Sequence, residues 1–207
     1  MTPPPTPPRR STLDVSGLPT LAFGARDLNW WGTILFMVIE GATLGLCAAS
    51  YLYLRRNFTA WPPETAPLPS LGIATVNLFV ILLSTVPMWI VGRAAHRRDL
   101  RTVRIFLTVK TTMALAALLL RYLELRALGV RWDDSAYGSA AWLVVFAHAT
   151  LLFVDVFEMG SMAGLSYSKT WEEKHFSDVA DACLYQFFLS GIWVPLYFLV
   201  YFSPRWL

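Results

Sequence analysis

Residues 30–63 read WWGTILFMVIEGATLGLCAASYLYLRRNFTAWPP. The apolar part of this stretch is long enough to cross a bilayer as a helix. One carboxylate, Glu40, sits inside it. At 1.5 Å per residue, Glu40 lies roughly 15 Å from the Trp30 end, near the middle of the hydrocarbon. An ionised acid facing lipid at that depth costs about 3 kcal/mol or more. Glu40 is therefore expected to be uncharged, or to face another helix, water or a polar ligand.

Working outward, the same apolar character recurs four more times. Segments run over Trp30–Leu54, Leu71–Val91, Val103–Leu125, Tyr137–Gly160 and Ala182–Phe202. Each is about 20 residues or more, the length a spanning helix needs. None alternates with a two-residue period, which excludes a barrel. The segment WPPETAPLPS between the first two carries four prolines and reads as an extended loop. Ser203-Pro204 is expected to stop the last helix. The fold class is all-α: a polytopic membrane bundle of five transmembrane helices. Residues 1–29, opening MTPPPTPPRR, form a separate proline-rich tail expected to be disordered and cytoplasmic. They hold no apolar core of signal-peptide type. Residues 30–207 form the membrane domain.

Composition agrees. Of 207 residues, 56% are hydrophobic and only 15% charged, against about 25% charged in soluble domains. The net charge of +3 is small, so it argues loop asymmetry and not nucleic-acid binding. Cys47 and Cys183 both lie in apolar segments without a CxxC or CxxxC partner. No disulfide framework, iron–sulfur centre or thiolate-bound copper is indicated.

Charge sorts the loops. With the N-terminus inside, that side holds ten basic residues, including Arg93, Arg97, Arg98 and Arg101, and the other side holds six, Arg121 among them. The positive-inside rule then places the N-terminus in the cytoplasm and the C-terminus outside.

A short set of polar residues interrupts the helices. It comprises Glu40, Asn77, Lys110, Arg121, Glu124, His148, Asp155, Glu158 and Gln186. Lys110 and Arg121 are read as near helix ends, where long side chains reach the interface. Arg121 and Glu124, three apart, share a face and are expected to pair there. His148 and Asp155 are two turns apart on one face, with Glu158 beside Asp155; this strip reads as a proton-conducting or helix-joining line. Of three histidines, His96 and His175 lie in loops. One intramembrane His cannot hold a haem or copper. No metal ligand, cofactor site or catalytic residue is assigned, and no phosphate loop or nucleophile elbow is present.

In order and spacing, these segments resemble subunit III of the haem–copper oxidases, in the five-helix form. The landmarks are Glu40; Trp61-Pro62-Pro63 with Pro69; Asn77, Leu82, Leu83 and Ser84; Tyr122, Leu123 and Glu124; Tyr137-Gly138-Ser139 with Phe146 and His148; and Trp193, Leu196-Tyr197 and Tyr201. Two departures stand out. Leu151 is near the place of a second family His. Tyr185–Ser190 reads YQFFLS, where the family usually has a Trp-His-Phe-Val-Asp motif. The pattern is that of a divergent member, from a cytochrome c or quinol oxidase or from the subunit-III-like proteins of nitric oxide reductase systems.

The resemblance implies a non-catalytic subunit of an oxidoreductase complex in the bacterial inner membrane. Its partners would be the catalytic haem–copper subunit I, or the nitric oxide reductase large subunit, and other subunits of the complex. Haem and copper would reside in that partner. This chain would carry structural phospholipid and support proton uptake. Glu40 matches the family's buried carboxylate, and Glu124 falls where the family has a carboxylate. Arg56 and Trp61 are candidates for lipid contact; Glu124, His148, Asp155 and Glu158 complete the lipid- and proton-related set. Two rival readings remain: a small proton channel or transporter, and an oxidase assembly factor.

Overall fold

The computed structural model describes residues 28–206; the proline-rich tail, apart from Leu28 and Asn29, lies outside the described residues. Those two residues are helical, so the membrane domain begins two residues before Trp30. The elements are α1 (Leu28–Asn57), α2 (Leu71–Leu83), α3 (Thr85–His96), α4 (Leu100–Arg126), α5 (Ala136–Ser166) and α6 (Lys174–Tyr197). A π-helical turn (Phe198–Phe202) and α7 (Ser203–Trp206) complete the chain. No strand occurs among the described residues. Five helices are long and apolar enough to span, with α2 and α3 counting as one span over Leu71–His96 and the last running Lys174–Arg205.

Two boundaries differ from the expectation. The last helix starts at Lys174, eight residues before Ala182, and Ser203-Pro204 does not stop it. The real break comes earlier. Pro195 lies inside α6 and offers no N–H, and the backbone widens into the π turn three residues later. The YGSAA segment lies inside α5, whose N-terminus is capped by Ser135 Oγ accepting from Gly138 N–H. At the start of α4, Asp99 Oδ1 accepts from the Thr102 N–H. The Thr102 hydroxyl and amide hold the Asp99 carboxyl below the usual carboxylate range.

Helix α4 packs between α3 and α5, α6 lies against α3, and α1 leans on α5 and α6. Of the five spans α1 is the least enclosed and the last the most. The interior holds two apolar cores. One includes Leu44, Tyr51, Ile81, Leu152, Leu189 and Trp193. The other includes Met88, Val91, Leu107, Met159, Val179 and Cys183. The chain crosses from one core to the other at polar residues. Ser84 falls between Ile81 and Met88, Asp155 between Leu152 and Met159, and Gln186 between Cys183 and Leu189. Lys110 follows Leu107 in the same way, ahead of Ala117. All four are buried. The bundle thus has a polar belt across its middle.

Cys47 and Cys183 are both free and buried, packing as small apolar side chains. Cys183 packs closely against Gly92, where α6 meets α3. A Cβ built on Gly92 would sit 2.9 Å from Cys183 Sγ and 3.6 Å from its Cβ. Gly92→Ala should therefore lower the thermal midpoint in detergent by forcing the helices apart, at a cost of about 1–3 kcal/mol. Adding Cys183→Ala removes the clashing sulfur, and the double variant should recover much of the loss. A double variant no better than Gly92→Ala would refute this account of the contact.

Candidate functional site

The belt is held by an ion pair between helices. Lys110 Nζ donates to Asp155 Oδ2 at 2.7 Å, joining α4 to α5, and the two side chains are 1% and 0% exposed. The expectation that Lys110 reaches the interface is corrected here. Helix α4 begins at Leu100, so Lys110 lies roughly 15 Å inside it, too deep for its stem to deliver the ammonium to water. Asp155 supplies the counter-charge instead. Beside this pair, Tyr185 O–H donates to Glu40 Oε2 at 2.9 Å, tying α6 to α1. Gln186 Nε2 donates to Ser190 Oγ at 2.9 Å and to Ser84 Oγ at 3.3 Å. Glu40 is buried among helices, as its sequence position required, and Tyr185 is its polar partner.

A second network fills the apolar core toward the other end. Arg121 Nη1 is 2.9 Å from Glu124 Oε2. The i,i+3 pairing is as expected, but its place is not. Both residues are 1% exposed, so this is an interior pair and not an interfacial one. Glu124 is held on both carboxylate oxygens, although Asn77 Oδ1, Arg121 Nε and Trp193 Nε1 are buried without a hydrogen-bond partner among the described residues. Asn77 Nδ2 donates to Glu124 Oε2 at 2.8 Å, and Tyr201 O–H donates to Glu124 Oε1 at 2.7 Å. The Arg121 guanidinium lies 3.8 Å from the centroid of the Trp193 ring. Arg121 Nη2 lies 3.2 Å from His148 Nδ1, while His148 Nε2 lies 3.1 Å from the Leu189 carbonyl. A guanidinium only donates and a carbonyl only accepts, so the ring has Nδ1 as acceptor and Nε2–H as donor. The imidazole also stacks on Trp193 at 4.5 Å.

The expected His148–Asp155–Glu158 strip is therefore divided. His148 belongs with Arg121, Asp155 with Lys110, and no hydrogen bond joins the two among the described residues. Glu158 is half-buried and lines a cleft of about 530 Å³ with Tyr185, Asp178, Asn29 and Thr33. This cleft opens beside the start of α1 and reaches the hydroxyl-bearing ring that holds Glu40. Arg56 and Trp61 lie elsewhere. They line a cleft of about 420 Å³ with Arg55 and Thr59 where α1 ends. There the Trp61 ring is wedged edge-on between Tyr51 and Tyr137, with centroids 5.3 Å from each.

Sequence reasoning named Asn77 and Gln186 as polar intruders without partners and overlooked Tyr185, Tyr201 and Trp193 as members of the networks. Depth along α4 could have flagged Lys110. Nothing in the linear pattern points to Tyr185, because a tyrosine in an apolar helix reads as packing. Among the described residues, no group of three or more His, Cys, Asp and Glu side chains is arranged to hold a metal ion.

No family model matches the chain. Two relatives do. The chain is 29% identical over 185 residues to a cytochrome c oxidase subunit 3 of Synechocystis, covering 86% of this chain and 77% of that protein. It is 23% identical over 180 residues to a cytochrome c oxidase subunit 3 of Thermostichus vulcanus, covering 86% of this chain and 89% of that protein.

The buried pair generates a prediction. Breaking an interior ion pair by removing one partner strands a charge at a cost of about 3–5 kcal/mol. Lys110→Met or Asp155→Leu alone should sharply lower the thermal midpoint of the purified protein. The double variant Lys110→Met/Asp155→Leu should regain most of it, since neither charge remains. Additive losses in the double variant would show that the two residues do not act as a pair.

Proposed function

We propose that this chain, a distant homologue of cytochrome c oxidase subunit 3 within the haem–copper oxidase subunit III family, is a non-catalytic membrane subunit that stabilises the catalytic subunit of a terminal oxidase. The carrying observation is similarity that runs over 86% of the chain in both relatives. Haem and copper would be held by the partner, where oxygen chemistry takes place. The interior of this chain is suited to a scaffold: its buried cations Lys110 and Arg121 are each paired with a buried carboxylate, Asp155 and Glu124.

In the finer reading, two places have duties. The cleft at Arg55, Arg56 and Trp61 offers cations beside an aromatic wall, which suits a phospholipid phosphate at the interface. The cleft bearing Glu158 and Asp178, ending at Tyr185 and Glu40, suits gathering protons for the neighbouring subunit's uptake route. The basic loops favour a cytoplasmic N-terminus and an outer C-terminus in a bacterial inner membrane. Arg121 now drops out of the outer tally because it is an interior residue, which sharpens the bias.

The test is a purification through an affinity tag on this chain in mild detergent. A haem–copper catalytic subunit should co-purify in stoichiometric amount, visible as haem absorbance that follows the tag. Recovery of the folded chain with no haem-bearing partner would overturn the assignment. A liposome proton flux carried by the isolated chain and abolished by Glu40→Gln would favour a channel instead.

A further inference from the structure

The chemistry of the walls narrows what fits the cleft of about 530 Å³ beside the start of α1. Its ionisable wall residues are Glu158 on α5 and Asp178 and Asp181 on α6; no basic residue lines it among the described residues. The apolar part of the wall includes Leu28, Phe36 and Met162. Gly32 is also a wall residue, and a Cβ built on it meets nothing within 4 Å, so open room remains against α1. An occupant suited to these walls carries a cation and an apolar group close together.

Basic side chains from the neighbouring elements are engaged elsewhere. Lys174 Nζ is 2.8 Å from Glu172 Oε2, and Arg98 Nη1 is 2.9 Å from Glu173 Oε1. Arg104 Nε donates to the Ser166 carbonyl at 2.9 Å. The next cation along the chain lies just outside the described residues. Residues 21–27 read LAFGARD, and the chain passes from them into Leu28, itself a wall of the cleft.

Connectivity brings this segment to the site. Asn29 Nδ2 donates to Asp178 Oδ1 at 3.2 Å. Arg26 precedes Asn29 by three residues, so their Cα atoms are at most roughly 11 Å apart. Phe23 precedes Leu28 by five residues and ranges up to roughly 17 Å from it. From Leu28 to Phe36 helix α1 advances roughly 12 Å, so Phe23 reaches the full length of the cleft. Gly24 lies between Phe23 and Arg26 and permits the sharp reversal that folding back requires. A segment tethered this closely meets the cleft at an effective concentration on the order of millimolar.

We propose that residues 21–27 of this chain fold back into the cleft, with Arg26 against Asp178 and Asp181 and the Phe23 ring among Gly32, Phe36 and Met162. The cation answers the acidic wall, and the ring fills the open room at Gly32. The occupant is thus the chain's own N-terminal segment. This rests on the walls of the cleft and on the sequence that leads into it. It depends neither on the cleft gathering protons nor on which complex the chain joins, and the experiment reads a contact within one polypeptide.

The test uses the full-length chain purified in detergent with its associated subunits. A benzophenone amino acid is placed at position 23, the sample is irradiated, and the cross-linked peptides are identified by mass spectrometry. The expected product is an intramolecular cross-link to Met162 on the cleft wall. Arg26→Gln should lower its yield about three-fold, the scale of one partly exposed ion pair, and Arg26→Lys should keep it. Added salt should lower the yield of the unsubstituted chain and leave that of Arg26→Gln unchanged. Gly32→Trp should abolish the product by filling the room the ring takes. If Gly32→Trp lowers the thermal midpoint, Gly32→Leu takes its place, and the Arg26→Gln and salt arms decide independently. Capture of a neighbouring subunit or of lipid from position 23 in place of Met162 would overturn the proposal. So would a yield indifferent to Arg26→Gln, or one that survives a folded variant at Gly32.

Discussion

A lysine and an aspartate, both out of reach of water, meet at 2.7 Å between α4 and α5. In a medium without water neither charge is tolerable alone, and each is tolerable only opposite the other. That requirement fixes the register of the two helices, because a slide of one turn would strand both ions. The two apolar cores meet at this level, and Ser84, Gln186, Glu40 and Tyr185 gather around it. Hydrocarbon packing alone discriminates weakly between helix registers in lipid, where lipid tails are as apolar as leucine. A polar belt gives the bundle a reference height.

The Arg121 network works by the same rule with more participants. Glu124 receives an ion pair and two hydrogen bonds, from Asn77 on α2 and Tyr201 on the π turn. His148 and Trp193 cover the guanidinium from α5 and α6. Four spans are thereby drawn to one carboxylate–guanidinium pair. The wide turn after Pro195 has a role in this: Tyr197 and Tyr201 lie on either side of its start and bond to Thr75 and Glu124 respectively. Helix α1 is the least enclosed span. Among the described residues, its hydrogen bond to the belt runs from Tyr185 to Glu40.

Much of the architecture was legible in the order of residues. Five apolar runs of spanning length announce five helices, and the proline-dense loop after Trp61 announces where the first pair separates. The Arg121–Glu124 pair was legible too, since three residues along a helix is a local relation. Lys110 was misjudged because its helix begins three residues earlier than the apolar pattern suggested, which moved it from the margin to the interior. The strip from His148 to Glu158 looked continuous because seven and three are helical spacings. Spacing reports a shared face of one helix and is silent on the neighbours that face meets.

The chain's sequence by itself determined that it spans a membrane, how many times, and that Glu40 must find polar company. These follow from the cost of exposing backbone and charge to hydrocarbon, a cost that each segment incurs alone. Only the tertiary structure decided which partner each buried charge takes. Lys110 and Asp155 stand 45 residues apart, and Tyr185 and Glu40 stand 145 apart. A contact between elements so distant in the chain leaves no periodic trace, because it depends on how whole helices settle against one another.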